Sequence, residues 1–256
     1  MSRLRLKLQR GAIVLIGLLL VWQAIVWATG AKPWILPGPV TVAEAWVGNF
    51  GLIIDHAVLT GTEIILGLLV GTLLGCTSAL TMAYFRPARR WLFPVLVVSQ
   101  AIPVFALAPL LVLWLGYGIL SKVAMATLII FFPVTAAFHD GLRRTEPGWL
   151  DLARSMNASR LAILLHIRVP AALPALASGL RVAAAVAPIG AIVGEWVGSS
   201  AGLGYLMIHA NARMQVDIMF AALVTLAILA VSLFFLIDSA LRRLLPWQPD
   251  SSPVND

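Results

Sequence analysis

Long apolar runs recur along this 256-residue chain, and short polar segments separate them. A helix needs about 20 residues, each rising 1.5 Å, to cross a hydrocarbon core about 30 Å thick. Six runs come near this length: residues 11–29, 60–84, 91–115, 121–139, 175–197 and 218–237. The pattern therefore predicts an all-α integral membrane protein with about six transmembrane helices.

The composition favours one membrane domain over a soluble fold. Hydrophobic residues make up 61% of the chain and charged residues 11%, and the mean hydropathy is +0.95. A soluble domain carries about a quarter charged residues. We expect a basic N-terminus at residues 1–10, a transmembrane domain at 11–245 and a polar cytoplasmic tail at 246–256. The first run is expected to be a retained anchor, because Ala28-Thr29-Gly30 makes a poor signal-peptide cleavage site.

The net charge of +7 is concentrated at one side of the predicted membrane. All but three of the 18 Lys and Arg residues fall in four clusters, at residues 3–10, 86–90, 143–181 and 242–243. The exceptions, Lys32, Lys122 and Arg213, are assigned to outer loops. This alternation follows the positive-inside rule and predicts that both termini are cytoplasmic. Nucleic-acid binding is not indicated, since no basic stripe follows one face.

Prolines and glycines lie inside several of the apolar runs. Pro103 and Pro133 fall within the third and fourth predicted spans, where we expect kinks beside a translocation path. Gly67, Gly71 and Gly75 share one face of the second span. Their spacing predicts close helix packing and leaves a dimer contact open.

The polar segment 143–174 predicts a helix–turn–helix between spans four and five. Thr145 can cap a first helix, on which Trp149, Leu152 and Met156 recur at helical spacing.

The turn itself is expected at Asn157, because asparagine tolerates the left-handed backbone that a sharp turn requires. Ser159 can cap a second helix, which is expected to end before Pro170.

The same segment carries a spaced signature. Asp151-Leu152-Ala153, Asn157 and Ile167-Arg168-Val169-Pro170 follow the spacing D-L-A-x3-N-x9-I-x-V-P. It resembles the E-A-A-x3-G-x9-I-x-L-P signature of membrane subunits of binding-protein-dependent ABC importers. Only Ala153, Ile167 and Pro170 match the named positions strictly, while Asp, Leu, Asn and Val stand for Glu, Ala, Gly and Leu.

Further resemblance covers nearly the whole chain beyond residue 30. Leu36-Pro37-Gly38-Pro39, Ser99-Gln100-Ala101-Ile102-Pro103 and Gly202-Leu203-Gly204-Tyr205-Leu206 are similar to the nitrate, sulfonate and taurine branch of these permeases. Residues 179–223 most resemble permeases for hydroxymethylpyrimidine, a thiamine precursor. Sulfonate, taurine and nitrate remain alternative solutes.

The resemblance implies a permease subunit that pairs with a second copy in a prokaryotic cytoplasmic membrane. Its expected partners are cytoplasmic ABC ATPases, an external solute-binding protein and membrane lipid. ATP and Mg would sit on the ATPase, since this chain has no G-x4-G-K-[ST] phosphate loop. The residues expected to couple to the ATPase are Trp149, Asp151, Leu152, Ala153, Arg154, Met156, Asn157, Ile167 and Pro170. An amphipathic hairpin on the membrane surface is the alternative for this loop.

Candidate solute contacts lie within the predicted spans. Glu195, beside Trp196, is an intramembrane carboxylate and so a functional candidate. It can face solute, pair with Arg213, or hydrogen-bond the outer loop to hold a gate. Further candidates are Glu63, Ser99 and Gln100.

The chain shows no metal-ligand spacing. An ion-coupled carrier would need paired intramembrane charges or inverted repeats, and neither is clear in the sequence. An intramembrane enzyme would need a catalytic constellation, and Ser199-Ser200 lacks an evident histidine base.

Overall fold

The computed structural model describes residues 3–247, apart from the side chains of residues 3–8, 10, 86 and 99–101. Every regular element in this part of the chain is helical, which confirms the all-α prediction. A π-helical turn, Leu164–Arg168, joins two of the helices. The helices are α1 (Arg3–Thr29), α2 (Pro39–Gly48), α3 (Phe50–Tyr84), α4 (Arg86–Ala101), α5 (Val104–Leu115), α6 (Ile119–Arg143), α7 (Pro147–Ser155), α8 (Arg160–Ile163), α9 (Val169–Gly198), α10 (Leu203–Ala212) and α11 (Val216–Leu244).

Within the described residues, five helical segments are long and apolar enough to cross a membrane. They are Gly11–Thr29, Phe50–Tyr84, Ile119–Arg143, Arg160–Gly198 and Val216–Leu244.

The remaining predicted span, residues 91–115, is divided into α4 and α5. Ile102 between them is extended, with ψ 120°, because a residue before proline is driven out of the helical region. Pro103 therefore ends one helix and caps the next, where the sequence had suggested only a kink. Pro133 does lie inside a continuous α6.

The core of the bundle is the contact of α3, α6 and α9. A Cβ atom added to Gly71 of α3 would lie 2.7 Å from Cγ2 of Ile130 on α6. A Cβ atom on Gly190 of α9 would lie 2.6 Å from Cα of Ala126, one turn along α6 from Ile130. The predicted glycine face of α3 thus packs inside this chain. The buried residues at the centre are Ile64, Ala126, Ile130, Val134, Ala183, Ala187 and Ala191.

The outer helices surround this core less closely. No residue in the apolar segment of α1 is fully buried, although its Trp22 stacks on Phe220 of α11 at 5.9 Å. The indole of Trp46 on α2 donates to the hydroxyl of Thr225 at 3.0 Å. Exposed apolar side chains on α1 are expected in a helix that faces lipid.

Candidate functional site

The loop between α6 and α9 begins with α7. Glu146 is the N-cap residue of α7 and Pro147 occupies its first turn, where a missing amide costs nothing. Thr145 does not cap the helix as predicted, because its hydroxyl donates back to the carbonyl of Leu142 at 3.3 Å.

The turn after α7 forms as the sequence indicates. Asn157 has φ 55°, in the left-handed region, and its amide donates to the carbonyl of Arg154 at 2.9 Å. The hydroxyl of Ser159 then accepts from the amide of Ala162 at 3.2 Å. Both predictions are confirmed, and together they reverse the chain sharply between α7 and α8.

The second helix of the loop does not end before Pro170. It continues from α8 through the π-helical turn into α9, so that residues 160–198 form one helical segment. At this turn the amide of Val169 donates to the carbonyl of Leu164. The i→i+5 pairing shifts the hydrogen-bond register, and Pro170 then falls in the first turn of α9, where proline is tolerated.

The loop carries an exposed apolar face. Trp149, Leu152 and Met156 are 53%, 63% and 75% exposed, while Ala153 beneath them is buried. The loop contains a groove of about 490 Å³, lined by Trp149, Leu152, Ala153, Met156, Ile167 and Pro170 together with His166, Ala171 and Trp247, which follows α11. We call this surface the loop groove.

The predicted polar contacts flank the loop groove. Arg154 donates to Asp151 at 2.8 Å, and both side chains are exposed. An exposed pair of this kind contributes at most about 1 kcal/mol to stability. Both side chains therefore remain available to a partner.

A second cluster lies at the opposite end of the bundle, around Glu195. Its carboxylate is 1% exposed; it accepts from the hydroxyl of Thr60 on α3 at 2.6 Å and from the amide of Gly204 on α10 at 2.5 Å. The hydroxyl of Thr60 in turn accepts from the amide of Leu203 at 2.8 Å. The amide of Gly202 donates to Nδ1 of His56 at 2.8 Å.

These bonds fix the N-terminus of α10. The first amides of a helix have no intrahelical acceptor, and a carboxylate there is favoured by the helix dipole. Side chains from α3 and α9 supply the acceptors, so Glu195 ties three helices together. Arg213, one of its suggested partners, is not among the groups that bind it here.

Glu63 also has a partner that the sequence did not reveal. The ammonium of Lys122 lies 3.0 Å from a carboxylate oxygen of Glu63, and both residues are buried. Lys122 had been assigned to an outer loop, but it lies in the first turn of α6. The chain thus holds a paired charge within the bundle, contrary to the expectation that none is evident.

A small cavity of about 120 Å³ adjoins Glu195. Tyr117, Trp196, Tyr205 and His209 contribute rings to its wall. Trp196 is 41% exposed, and its ring meets that of Phe105 edge-on at 6.3 Å.

The side chains of Ser99 and Gln100 lie outside those that the structure describes. Among the residues it does describe, no group of three or more His, Cys, Asp or Glu is placed to hold a metal ion.

The geometry defines a class of protein. It is a helical membrane protein with an exposed apolar groove at its basic end and a buried cluster of hydrogen-bonded polar residues, around Glu195, at the other end. Comparison of residues 67–248 with family models matches the binding-protein-dependent transport system inner membrane component. This match covers most of the chain, and the protein belongs to that family.

Relatives extend the similarity to nearly the full length. A probable ABC transporter permease of Haemophilus influenzae is 54% identical, over 94% of this chain and 98% of its own. A formylaminopyrimidine transport permease of Halalkalibacterium halodurans is 36% identical, over 90% and 92%. A riboflavin transport permease is also 36% identical, and taurine and aliphatic sulfonate permeases are below 30%. The predicted importer family and its nitrate, sulfonate and taurine branch are confirmed.

The fold is shared with solved importers. In the inward-facing MetNI methionine ABC transporter, one chain superposes with a TM-score of 0.67 at 18% identity, covering 77% of this chain and 98% of that one. At this identity the likeness shows the fold. The protein is therefore a multi-pass permease subunit of the bacterial inner membrane.

Proposed function

We propose that the loop groove is the docking surface for a cytoplasmic ABC ATPase that binds ATP and Mg. The observation that carries this proposal is the exposure of Trp149, Leu152 and Met156 on a loop otherwise held by capping and turn hydrogen bonds. An exposed aromatic and aliphatic cluster with a charged rim is the usual composition of an interface centre. The basic residues beside it support a cytoplasmic position for this loop and for both termini.

Force from the ATPase would reach the membrane through two connections. α7 follows α6 after only the short segment between Arg143 and Pro147, and α8 is continuous with α9. Displacement of the loop would therefore move α6 and α9, which form the core with α3. Alternating access requires such motion of packed helices about a fixed site.

In the proposed importer, two copies of the chain pair in the membrane and receive solute from an external binding protein. The Glu195 cluster then acts as the outer gate in its closed state. Glu195 is buried among Thr60, Gly204 and α3, so contact with solute requires these bonds to open. Glu63, held by Lys122, would then belong to the supporting wall of the gate.

For the solute we propose a small pyrimidine, with hydroxymethylpyrimidine as the first candidate. The ring-lined cavity beside Glu195 suits a flat nitrogen heterocycle, because aromatic rings stack on its face and a carboxylate accepts from its amino group. The permease for formylaminopyrimidine supports this choice, and the riboflavin permease at equal identity makes a flavin the second candidate. Sulfonate, taurine and nitrate offer no ring on which such a wall could stack.

Docking is tested by replacing Trp149 and Met156 with Glu and purifying the chain with its ATPase. We expect the ATPase to be lost, because two charges would enter an apolar interface. Leu161→Glu is the matched control, since Leu161 is 51% exposed on α8 and does not line the loop groove. Full ATPase recovery with the double variant would refute the docking proposal.

The identity of the solute is tested by ATP-driven uptake into vesicles that contain the permease, its ATPase and its binding protein. Labelled hydroxymethylpyrimidine, riboflavin and taurine are compared at equal concentration. Uptake of the pyrimidine alone supports the proposal, while uptake of another solute replaces the substrate and leaves the transport class intact. Uptake that persists with a hydrolysis-deficient ATPase and is abolished by an ionophore would indicate an ion-coupled carrier.

A further inference from the structure

A basic cavity lies at the cytoplasmic ends of α3, α4, α6 and the π-helical turn, away from the loop groove. Its volume is about 390 Å³. The lining residues are Met82, Ala83, Arg89, Arg90, His139, Leu142, Arg143 and Arg168. Four arginines thus line a space whose described lining contains no carboxylate.

The cationic groups of this cavity have no ion-pair partner among the described residues. In the part of the chain that the structure describes, Arg89, Arg90, Arg143 and Arg168 form no ion pair. Nε of Arg168 is buried without a hydrogen-bond acceptor. Buried donors are nearly always paired in folded proteins, so each unpaired one requires an explanation.

His139 gives a second, independent indication. It is 1% exposed, and neither ring nitrogen has a hydrogen-bond partner among the described residues. The nearest acid, Asp140, lies 4.0 Å from Nδ1 and is itself exposed. A buried imidazole that lines a cavity without a partner leaves a donor for a ligand.

The chemistry of the donors selects a phosphate group. Guanidinium forks match the oxygens of phosphate in a bidentate manner, and several of them together neutralise its charge. A cavity of about 390 Å³ exceeds what one phosphate fills, and leaves space for the glycerol unit that a phospholipid headgroup carries.

The surroundings indicate that the phosphate comes from lipid. Tyr84, Phe85 and Trp91, at the junction of α3 and α4, are 42%, 55% and 78% exposed. Aromatic residues in such positions mark the headgroup level of a membrane. A neighbouring cavity of about 370 Å³ shares Ala83 and Arg168 with the first and adds Arg154 and Arg160.

We infer that the cavity between Arg89, Arg143 and Arg168 binds the phosphate of an anionic phospholipid of the cytoplasmic leaflet. Basic pockets between helices on this side of a membrane are suited to such headgroups. The inference is independent of the solute and of ATPase docking.

The test is native mass spectrometry of the purified full chain with phosphatidylglycerol and, at equal concentration, phosphatidylcholine of the same acyl chains. We expect phosphatidylglycerol to be retained preferentially. Each arginine removed should weaken its binding about fivefold, which corresponds to about 1 kcal/mol per arginine near an anionic surface. The variant Arg89→Gln with Arg143→Gln should therefore lose most of the preference.

Two controls distinguish binding at this cavity from a general effect of positive charge on the protein. Arg243→Gln removes one positive charge, as each single arginine variant of the cavity does, from the exposed end of α11 and should leave the preference unchanged. Arg89→Lys with Arg143→Lys keeps the charge and guards against a loss of folding; it should bind more weakly than the native chain and more tightly than the Gln pair.

Two outcomes would overturn the inference. Equal retention of both lipids by the native chain would exclude an anion-selective site. Displacement of phosphatidylglycerol by millimolar inorganic phosphate, but not by chloride at matched ionic strength, would assign the arginines to free phosphate instead of lipid.

Discussion

The ammonium of Lys122 lies 3.0 Å from the carboxylate of Glu63, and this buried pair joins the first turn of α6 to α3. Lys122 is 5% exposed and Glu63 is fully buried. A pair in this position depends on both members, because a lone buried charge has neither water nor a counterion to stabilise it.

Removing one member should therefore cost more than removing both. We expect Lys122→Met or Glu63→Leu alone to lower the free energy of unfolding by about 3–5 kcal/mol, and the double variant to recover most of it. The measurement is unfolding in mixed micelles, analysed as a double-mutant cycle. Lys32→Met, which removes an exposed lysine, should change stability little. Additive single effects would show that the two groups do not interact.

The Glu195 cluster predicts a local effect on α10. In Glu195→Leu the amide of Gly204 loses its acceptor and the hydroxyl of Thr60 loses one partner. An unsatisfied buried polar group costs about 1–3 kcal/mol. Amides at the start of α10 should therefore exchange hydrogen faster, by about tenfold for each 1.4 kcal/mol.

Hydrogen exchange of peptides covering residues 199–212 measures this effect. Glu44→Leu, an exposed carboxylate on α2, is the matched control and should leave the exchange unchanged. Unaltered protection in the Glu195 variant would mean that its carboxylate does not hold α10.

The turn at Asn157 predicts a specific order of substitutions. Its φ of 55° favours glycine and disfavours branched side chains, at a cost of about 1–2 kcal/mol. Asn157→Gly should keep ATPase stimulation by the permease, whereas Asn157→Val should reduce it. Ser155→Val, at the end of α7, is the control for adding a branched side chain nearby. Equal activity of the Gly and Val variants would show that the turn does not set the loop geometry.

The contact of α6 with α9 predicts sensitivity at Gly190. A Cβ atom there would lie 2.6 Å from the backbone of Ala126, so Gly190→Ala should destabilise the chain by about 1–3 kcal/mol through overpacking. Gly51→Ala on α3 meets open space and should stabilise slightly, by about 0.5–1 kcal/mol. Thermal unfolding of the two variants gives the comparison, and equal shifts would contradict the packing geometry.

Local signals in the sequence predicted two local features of the loop correctly, at Asn157 and Ser159, and failed for the cap at Thr145. Asn157 and Ser159 act through their own backbone neighbours, so residue type alone predicted the turn and the cap. The apolar runs predicted the helices for the same reason, since their length is set by the membrane and not by a partner.

The same signals failed where the outcome depends on contacts distant in sequence. Lys122 follows a turn in the sequence, and only the packing of α6 against α3 shows that it pairs with Glu63. Glu195 was recognised as unusual, but Thr60, its partner, lies 135 positions away. Pro103 separates two helices while Pro133 lies inside one, so the residue type alone does not distinguish a break from a kink.

The continuity of residues 160–198 has a mechanical consequence. This segment of 39 residues is about 58 Å long, with the loop groove at one end and Glu195 close to the other. If the segment moves as a rigid body, a tilt of about 3° about its midpoint would shift each end by about 1.5 Å. If such a shift lengthens the 2.6 Å distance between the Thr60 hydroxyl and the Glu195 carboxylate, the two oxygens are separated by more than a hydrogen bond allows. A small rotation imposed at the loop groove can thus break one hydrogen bond near the opposite end of the segment.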